Sequence, residues 1–492
     1  MKDRPHYQLF IDGNWTEGSE GQVMSSQNPA TGKTWATFAC ASRIDVEHAI
    51  AAARRALDDP IWRDMNQTQR GKLLFRLADL IEESAPRIGR TETLDSGKLL
   101  AETASQTAYV ADYYRYYAGL ADKIEGSVLP IDKPDMHVFT RREPIGVVAA
   151  IVPWNAQMFL TATKLGPALA AGCAVILKAS EVAPAPLLEF ARLIEAAGFP
   201  AGVVSVITGD AENCAIPLTR HPDIDRIAFT GGPETARHVV RNSAENFAVT
   251  TLELGGKSPI LVFEDANLDG AANGLIAGNF GASGQSCVAG TRGLVHRLVF
   301  EDLASRIEEK LKGVVIGDPL DAQTQVGPLC TPDQIEKIRR TLKSAVDGGA
   351  KIRFGGAPLE MSGNFMAPTL VECADPDTET LKVEMFGPVM SLLPFDTEEE
   401  AIALANATPF GLGSGVFTEN LARAHRVSSR LKAGICWVNT YRAVSPIAPF
   451  GGFDQSGYGR EAGLEAILDY TRTKTVWIST SERPMSNPFV MR

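Results

Sequence analysis

The chain has 492 residues, too long for a single hydrophobic core, so about two or three domains are expected. Its composition, 45% hydrophobic and 22% charged, is that of a soluble globular enzyme, and a net charge of −11 argues against nucleic acid or an anionic membrane as partner. The opening MKDRPHYQLFIDG lacks the apolar stretch of a signal peptide, and the longest nearly apolar run, Leu165 to Leu177, is broken by Gly166, Pro167 and Gly172. It falls short of the ~18 apolar residues that a membrane span needs. The seven cysteines are odd in number and scattered, a pattern of free thiols in a reducing compartment, so a cytoplasmic location is the expectation.

In chain order, Leu9-Phe10-Ile11, a turn at Asp12-Gly13 and Trp15 predict a hairpin. Ser42 with Asp45 forms a capping box for a first helix, and Leu73, Leu77, Leu80 and Ile81 mark one face of another. From about Ile145 the rhythm changes to strands alternating with helices. Val147 to Val152, Ala174 to Leu177, Val203 to Ile207 and Ile227 to Thr230 read as strands, and Leu187 to Ala197 as a helix stopped by Gly198. Such alternation predicts βαβ units and a largely parallel sheet. The pattern restarts at Pro259 to Phe263 and runs past Ala401 to Ala407, so two α/β domains are expected to divide near Glu253. The tail from Tyr470 to Ser479 alternates β-formers with polar residues and reads as an exposed edge strand, which needs a partner.

Four stretches invite a chemical reading. Cys287 ends a run of small residues, GASGQSC, with no large apolar neighbours to bury it; a catalytic thiol needs such room, together with a lowered pKa or a nearby base. His296, the nearest histidine, lies in the apolar run Leu294 to Val299 and reads as structural. Glu253, flanked by two leucines and then two glycines, is a carboxylate whose pKa burial should raise, as a general base near neutrality requires; taken alone it reads first as an ordinary strand-end glutamate. The ending Gly256-Lys257-Ser258 is no P-loop, because Thr251 stands where that motif needs glycine. Pro153-Trp154-Asn155 follows a buried strand and offers a side-chain amide to an oxyanion, or simply a turn. Phe229 to Pro233 places Gly231 and Gly232 where a strand meets a helix, a candidate phosphate cradle outside the GxGxxG form.

Together these stretches resemble the NAD(P)-dependent aldehyde dehydrogenase superfamily along almost the whole chain. The set, in order, is PWN (153–155), KASE (178–181), FTGG (229–232), ELGGKSP (253–259), GQSC (284–287), EMFGPV (384–389) and PFGGFDQSGYGRE (449–461), with the family's usual spacing between Glu253 and Cys287. The resemblance implies an α/β fold with a Rossmann-like NAD-binding domain (1–121 and 145–253), an α/β catalytic domain (254–455) and a small β oligomerisation flap and tail (122–144 and 470–492). It implies that Cys287 is the nucleophile, that Asn155 with the Cys287 backbone N–H holds the oxyanion, and that Glu253 activates the water that hydrolyses the thioester. For NAD it implies Lys178 and Glu181 at the adenosine ribose, Gly231 and Gly232 under the pyrophosphate, Glu384 at the nicotinamide ribose, and Trp154 and Phe386 near the ring; Glu181 disfavours NADP, which some such relatives nevertheless use. No metal is implied, and a homo-oligomer, dimer or tetramer, is.

For the aldehyde tunnel the resemblance implies Ala156, Phe159, Thr163, Val444 and Phe450, with Tyr109 at its wall. Ala156, Thr163 and Val444 are smaller than the aromatic side chains often found there, and Arg442 adds positive charge near the mouth. A small-molecule aldehyde that is bulky and partly polar, cyclic or carrying a carboxylate, is the expected substrate. Three departures stand out: Gly232 where relatives often have Ser, Ala156-Gln157 where Phe-Pro often follows PWN, and Asp454 where Lys is usual. A rival reading, acyl transfer to coenzyme A, is disfavoured by Glu253, which such relatives usually lack.

Overall fold

The computed structural model describes residues 4–357 and 359–490. Residues 1–3 and 491–492, the ends of the expected 1–121 and 470–492 segments, lie outside the described residues. The first large sheet is built on the parallel strands Val147–Ile151, Ala174–Ala179, Val204–Thr208, Arg226–Gly231 and Val249–Leu254. Val147–Ile151 is apolar and buried on both faces, as a central parallel strand must be, and it lies between Ala174–Ala179 and Arg226–Gly231. The strand order therefore reverses beside it, and crevices that take ligands open outside the carboxyl ends of strands at such a reversal.

The N-terminal hairpin, Leu9–Ile11 with Asn14–Thr16, extends this sheet at its far edge. The Ser42 capping box forms as expected, both halves made, and opens the helix Arg43–Asp58. Two long helices, Gln67–Ser96 and Leu100–Leu120, turn back on each other at Gly97, whose φ of 80° is left-handed and favours glycine. Pro328 and Pro29 crowd Gly97 where a side chain would project.

The second large sheet contains Pro259–Val262, Arg292–His296, Val389–Phe395, Gly413–Phe417 and Ile435–Val438 in parallel, with Thr369–Glu372 and an antiparallel edge at Lys351–Phe354. The chain then returns to the first sheet: Gly457–Tyr458 pairs antiparallel with Val249–Leu254, setting Gly457 opposite Glu253. This return brings residues 449–461 to the end of the first sheet.

The tail strand Thr471–Ser479 pairs along its whole length with Met136–Pro144 of the same chain, so the expected edge strand finds its first partner internally. The other edge of Met136–Pro144 is partly covered by a bridge from Val128 to Phe139, whereas Thr471–Ser479 pairs with no further strand among the described residues and exposes Trp477 and Ile478. All seven cysteines are free. Among the described residues, no helix is long and apolar enough to cross a membrane.

Candidate active site

The strand Val147–Ile151 delivers Pro153, Trp154 and Asn155 to the reversal point, and the helix Gln157–Ala171 carries the chain away. Across the reversal, Arg226–Gly231 ends at Gly232, the N-cap of Pro233–Asn246, with Pro233 in the first helical turn. The two glycines have different reasons. A side chain on Gly231 would collide with the Phe229 ring, whereas one on Gly232 would meet nothing within 4 Å. Gly232 thus leaves open space at a helix N-terminus, where an anion is favoured. Between these strand ends lies a cavity of about 530 Å³, which also reaches Glu253, Cys287, Glu384 and Phe386.

Glu384 and Phe386 come from the segment before Val389–Phe395. The Gly256 N–H donates to the Glu384 carboxylate over 3.0 Å, and a side chain on Gly255 would meet that carboxylate and displace it. Burial raises the Glu384 pKa, and the Gly256 N–H opposes that rise. Trp154 meets Phe386 edge-on, with ring centroids 5.5 Å apart. Gln334, also on this cavity, has a buried Oε1 with no partner.

Cys287 follows a turn in left-handed backbone: Ala282 at φ 52°, Ser283 at 53° and Gly284 at 76°. Non-glycine residues there cost about 1–2 kcal/mol each and persist only where surroundings impose them. Here the surroundings do. The Ala282 N–H donates to Glu102 over 3.0 Å, Ser283 Oγ donates to the Gly327 carbonyl over 2.9 Å, and Gln285 Oε1 accepts from the Cys330 N–H over 2.8 Å. Asn155 Nδ2 donates to the Gln285 carbonyl over 3.1 Å, which ties the amide to the loop that carries Cys287 and leaves its second N–H free.

The pKa of the Cys287 thiol is raised, where a catalytic thiol acting alone would need it lowered. Burial pushes it up to about 12, with the Glu253 and Glu384 carboxylates adding and Arg442 opposing. Glu253 stands in the last strand of the first sheet with both carboxylate oxygens buried and unpartnered. Its pKa is raised well above the usual carboxylate range, first by burial and then by Glu461, with Lys164 and Arg460 opposing. Gly451 packs against it with no room for a side chain. Behind it, Lys164 Nζ donates to Glu461 over 2.5 Å and to Thr230 over 2.6 Å, and Thr163 donates to the other Glu461 oxygen over 2.6 Å.

A second cavity, of about 570 Å³, lies on the other side of Cys287. Ala156, Phe159, Val444, Phe450, Tyr109 and Arg442 all line it. Asn155, Leu160 and Cys287 belong to both cavities and form their shared wall. Thr163 does not line this second cavity: it is buried, and its hydroxyl is taken up by Glu461. Lys178 and Glu181 pair with each other over 2.6 Å at the end of Ala174–Ala179 and do not line the first cavity. His296 packs edge-on against Phe395 near Glu264, away from both cavities.

Sequence reasoning missed Lys164, Glu461, Lys98, Gln106 and Glu102 as members of this site. Glu461 was in view as the last residue of the 449–461 stretch, but its contact with Lys164 joins positions that no local pattern links. Comparison with known proteins agrees with the geometry. The chain matches the aldehyde dehydrogenase family over residues 15–476. It is 55% identical, over 99% of both chains, to (Z)-2-((N-methylformamido)methylene)-5-hydroxybutyrolactone dehydrogenase of Acinetobacter baylyi. It superposes with a TM-score of 0.95 on the NAD+ complex of an aldehyde dehydrogenase from Bacillus cereus, 38% identical over 97% of both chains. It also superposes, with a TM-score of 0.96, on a betaine aldehyde dehydrogenase from Staphylococcus aureus in complex with NAD+, 34% identical over 99% of both chains. The chain belongs to the aldehyde dehydrogenase family and is an NAD-dependent enzyme that oxidises an aldehyde to a carboxylic acid.

Proposed function

We propose that Cys287 is the nucleophile, Glu253 the base, Asn155 the oxyanion donor, and that the substrate is a bulky, partly polar aldehyde. The observation that carries the assignment is the wall shared by the two cavities, where Asn155 and Cys287 face both. In this reading the aldehyde enters the cavity of Ala156, Phe159, Val444, Phe450 and Tyr109, and Cys287 Sγ attacks its carbonyl carbon. The free Asn155 N–H and the Cys287 backbone N–H receive the oxyanion of the thiohemiacetal. When bound, NAD supplies the hydride acceptor, and its positive ring favours the thiolate. Glu253 then takes a proton from the water that hydrolyses the thioester, a role for which its raised pKa suits it.

For NAD itself, Gly232 and the helix end at Pro233 would take the pyrophosphate, Glu384 the nicotinamide ribose, and Trp154 and Phe386 would flank the ring, with Gly231 beneath. Lys178 and Glu181 would take the adenosine ribose, where a carboxylate disfavours the 2′-phosphate of NADP. The strands from 145 to 253, with residues 1–121, form the NAD-binding domain in this reading, and residues 254–455 the catalytic one. Seven free cysteines suit the cytoplasm.

The Acinetobacter relative is named for a butyrolactone that carries an N-methylformamide group, a ring compound with two carbonyl groups, and this supports a bulky, partly polar substrate here. The half-buried Ala156 and the cavity of about 570 Å³ support that class here. Underfilled sites bind small ligands weakly, because each unburied methylene forfeits about 0.8 kcal/mol. Across a panel of aldehydes kcat/KM rises from acetaldehyde to ring-sized substrates, and Ala156→Phe lowers the ratio of large to small. Acetaldehyde as the best substrate, or an unchanged ratio in Ala156→Phe, would overturn the wide-chamber reading.

The unpaired edge of Thr471–Ser479, with Trp477 and Ile478 exposed, supports a homo-oligomer, dimer or tetramer. Light scattering at micromolar concentration therefore gives a mass at least twice the 52.9 kDa of one chain, and a monomer would refute the assignment.

A further inference from the structure

We infer that Gln106 is a specificity-determining residue: it holds an amide N–H2 toward the aldehyde chamber and selects aldehydes that carry a carbonyl or carboxylate oxygen remote from the reacting carbon. The inference rests on the proposed assignment of that chamber to the aldehyde. Gln106 projects from the helix Leu100–Leu120 into the cavity that also holds Cys287. The two ends of an amide have nearly the same shape, so its neighbours decide which end faces where. Here the neighbour is Lys98, whose Nζ donates to Gln106 Oε1 over 2.9 Å and to Glu92 over 2.9 Å.

An ammonium can only donate, so the Gln106 oxygen is committed to Lys98 and the NH2 group must point elsewhere. Among the described residues Nε2 meets no protein acceptor and is not one of the buried orphan atoms, so it stays accessible, and Gln106 lines the chamber. Lys98 is 5% exposed and Glu92 fully buried, which makes the pair a rigid support. The Lys98 charge is balanced by Glu92, so the lysine sets the direction of the amide and adds little net field.

Arg442 supplies a second donor on the same chamber. One guanidinium nitrogen is held by the Ala277 carbonyl over 3.1 Å, and its other N–H groups have no partner among the described residues. Glu102 is on the same wall, with one carboxylate oxygen on the Ala282 N–H and the other buried without a partner. A chamber that combines Ala156, Phe159, Val444 and Phe450 with the Gln106 and Arg442 donors recognises oxygen acceptors on an otherwise apolar body. Amide, lactone and carboxylate oxygens share that chemistry.

Gln106→Glu tests the amide directly. It keeps the shape and the contact to Lys98 but offers the chamber an acceptor in place of a donor; Gln106→Leu removes both. Rates on full-length enzyme with NAD are measured for benzaldehyde, 4-carboxybenzaldehyde and 4-acetamidobenzaldehyde. Both variants lower kcat/KM for the two acceptor-bearing aldehydes relative to benzaldehyde by about 10–100-fold, mainly through KM. Equilibrium binding of benzoate, terephthalate and 4-acetamidobenzoate reads the same contact without turnover and shows the same ranking. Equal losses on all three ligands, no relative loss, or a loss confined to the carboxylate in Gln106→Glu would each overturn the inference. A wild-type enzyme that oxidises none of the aldehydes yet keeps the binding ranking would count against the assigned chemistry and for Gln106.

Discussion

Cys287→Ala forms no NADH from any aldehyde, whereas Glu253→Gln gives one rapid burst of NADH per active site followed by turnover slowed about 10²–10⁴-fold. The split follows from where the two groups stand. In the proposed roles Cys287, on the wall common to both cavities, makes the thioester from which product is released. Glu253 lines only the cavity proposed for NAD, and in its proposed role the buried, unpartnered carboxylate acts after that thioester exists. Stopped-flow absorbance at 340 nm reads both phases. Near-normal turnover in Cys287→Ala, or loss of the burst in Glu253→Gln, would remove these roles.

The raised thiol adds a pH signature to the same experiment. With the Cys287 pKa pushed up to about 12, the thiolate fraction in the free enzyme rises about tenfold per pH unit below it. Alkylation by iodoacetamide without NAD therefore climbs steadily from pH 7 to 10 with no plateau. A plateau near neutral pH would mean that the thiol is already ionised and that burial does not control it.

The parts of this site carried by local pattern were legible in the sequence. Val147 to Val152 reads as a strand because the run is short, apolar and rich in Val and Ile, and the structure has Val147–Ile151 as a buried strand with Asn155 following at the reversal point. Small residues before Cys287 signalled room, and the structure shows what that room became: a left-handed turn clamped by Glu102, Gly327 and Cys330. Thr163 shows the limit. Its place on the helix Gln157–Ala171 was readable, but the direction of its hydroxyl was not, because Glu461 reaches it only when the chain returns from the second sheet. Lys98 and Gln106 were invisible for a related reason: a buried lysine is improbable from sequence until its counter-charge, Glu92, is placed beside it.

Lys164→Met destabilises the protein by about 3–5 kcal/mol, and a second change, Glu461→Leu, restores most of that loss. The Lys164 side chain is 0% exposed and the Glu461 side chain 3%, so neither charge can turn to water when the other is removed. Removing the lysine alone leaves a buried carboxylate with only the Thr163 hydroxyl as partner and orphans the hydroxyl of Thr230. Removing both charges exchanges the pair for apolar volume; Thr163 Oγ1 keeps its bond to the Leu160 carbonyl, and only the Thr230 hydroxyl is left to lose about 1–3 kcal/mol if it stays unpaired. Urea unfolding followed by fluorescence measures the three variants, and additive losses in the double variant would show that the pair does not act as a unit. If Glu253 has the proposed role, the same substitution also reaches the chemistry. Lys164 is one of two cations that oppose the rise in the Glu253 pKa, so its loss pushes that carboxyl higher still. A base must be ionised to act, so the rise of turnover with pH moves to more alkaline values in Lys164→Met. A pH profile that stays in place while stability falls would confine Lys164 to holding Glu461 in the fold.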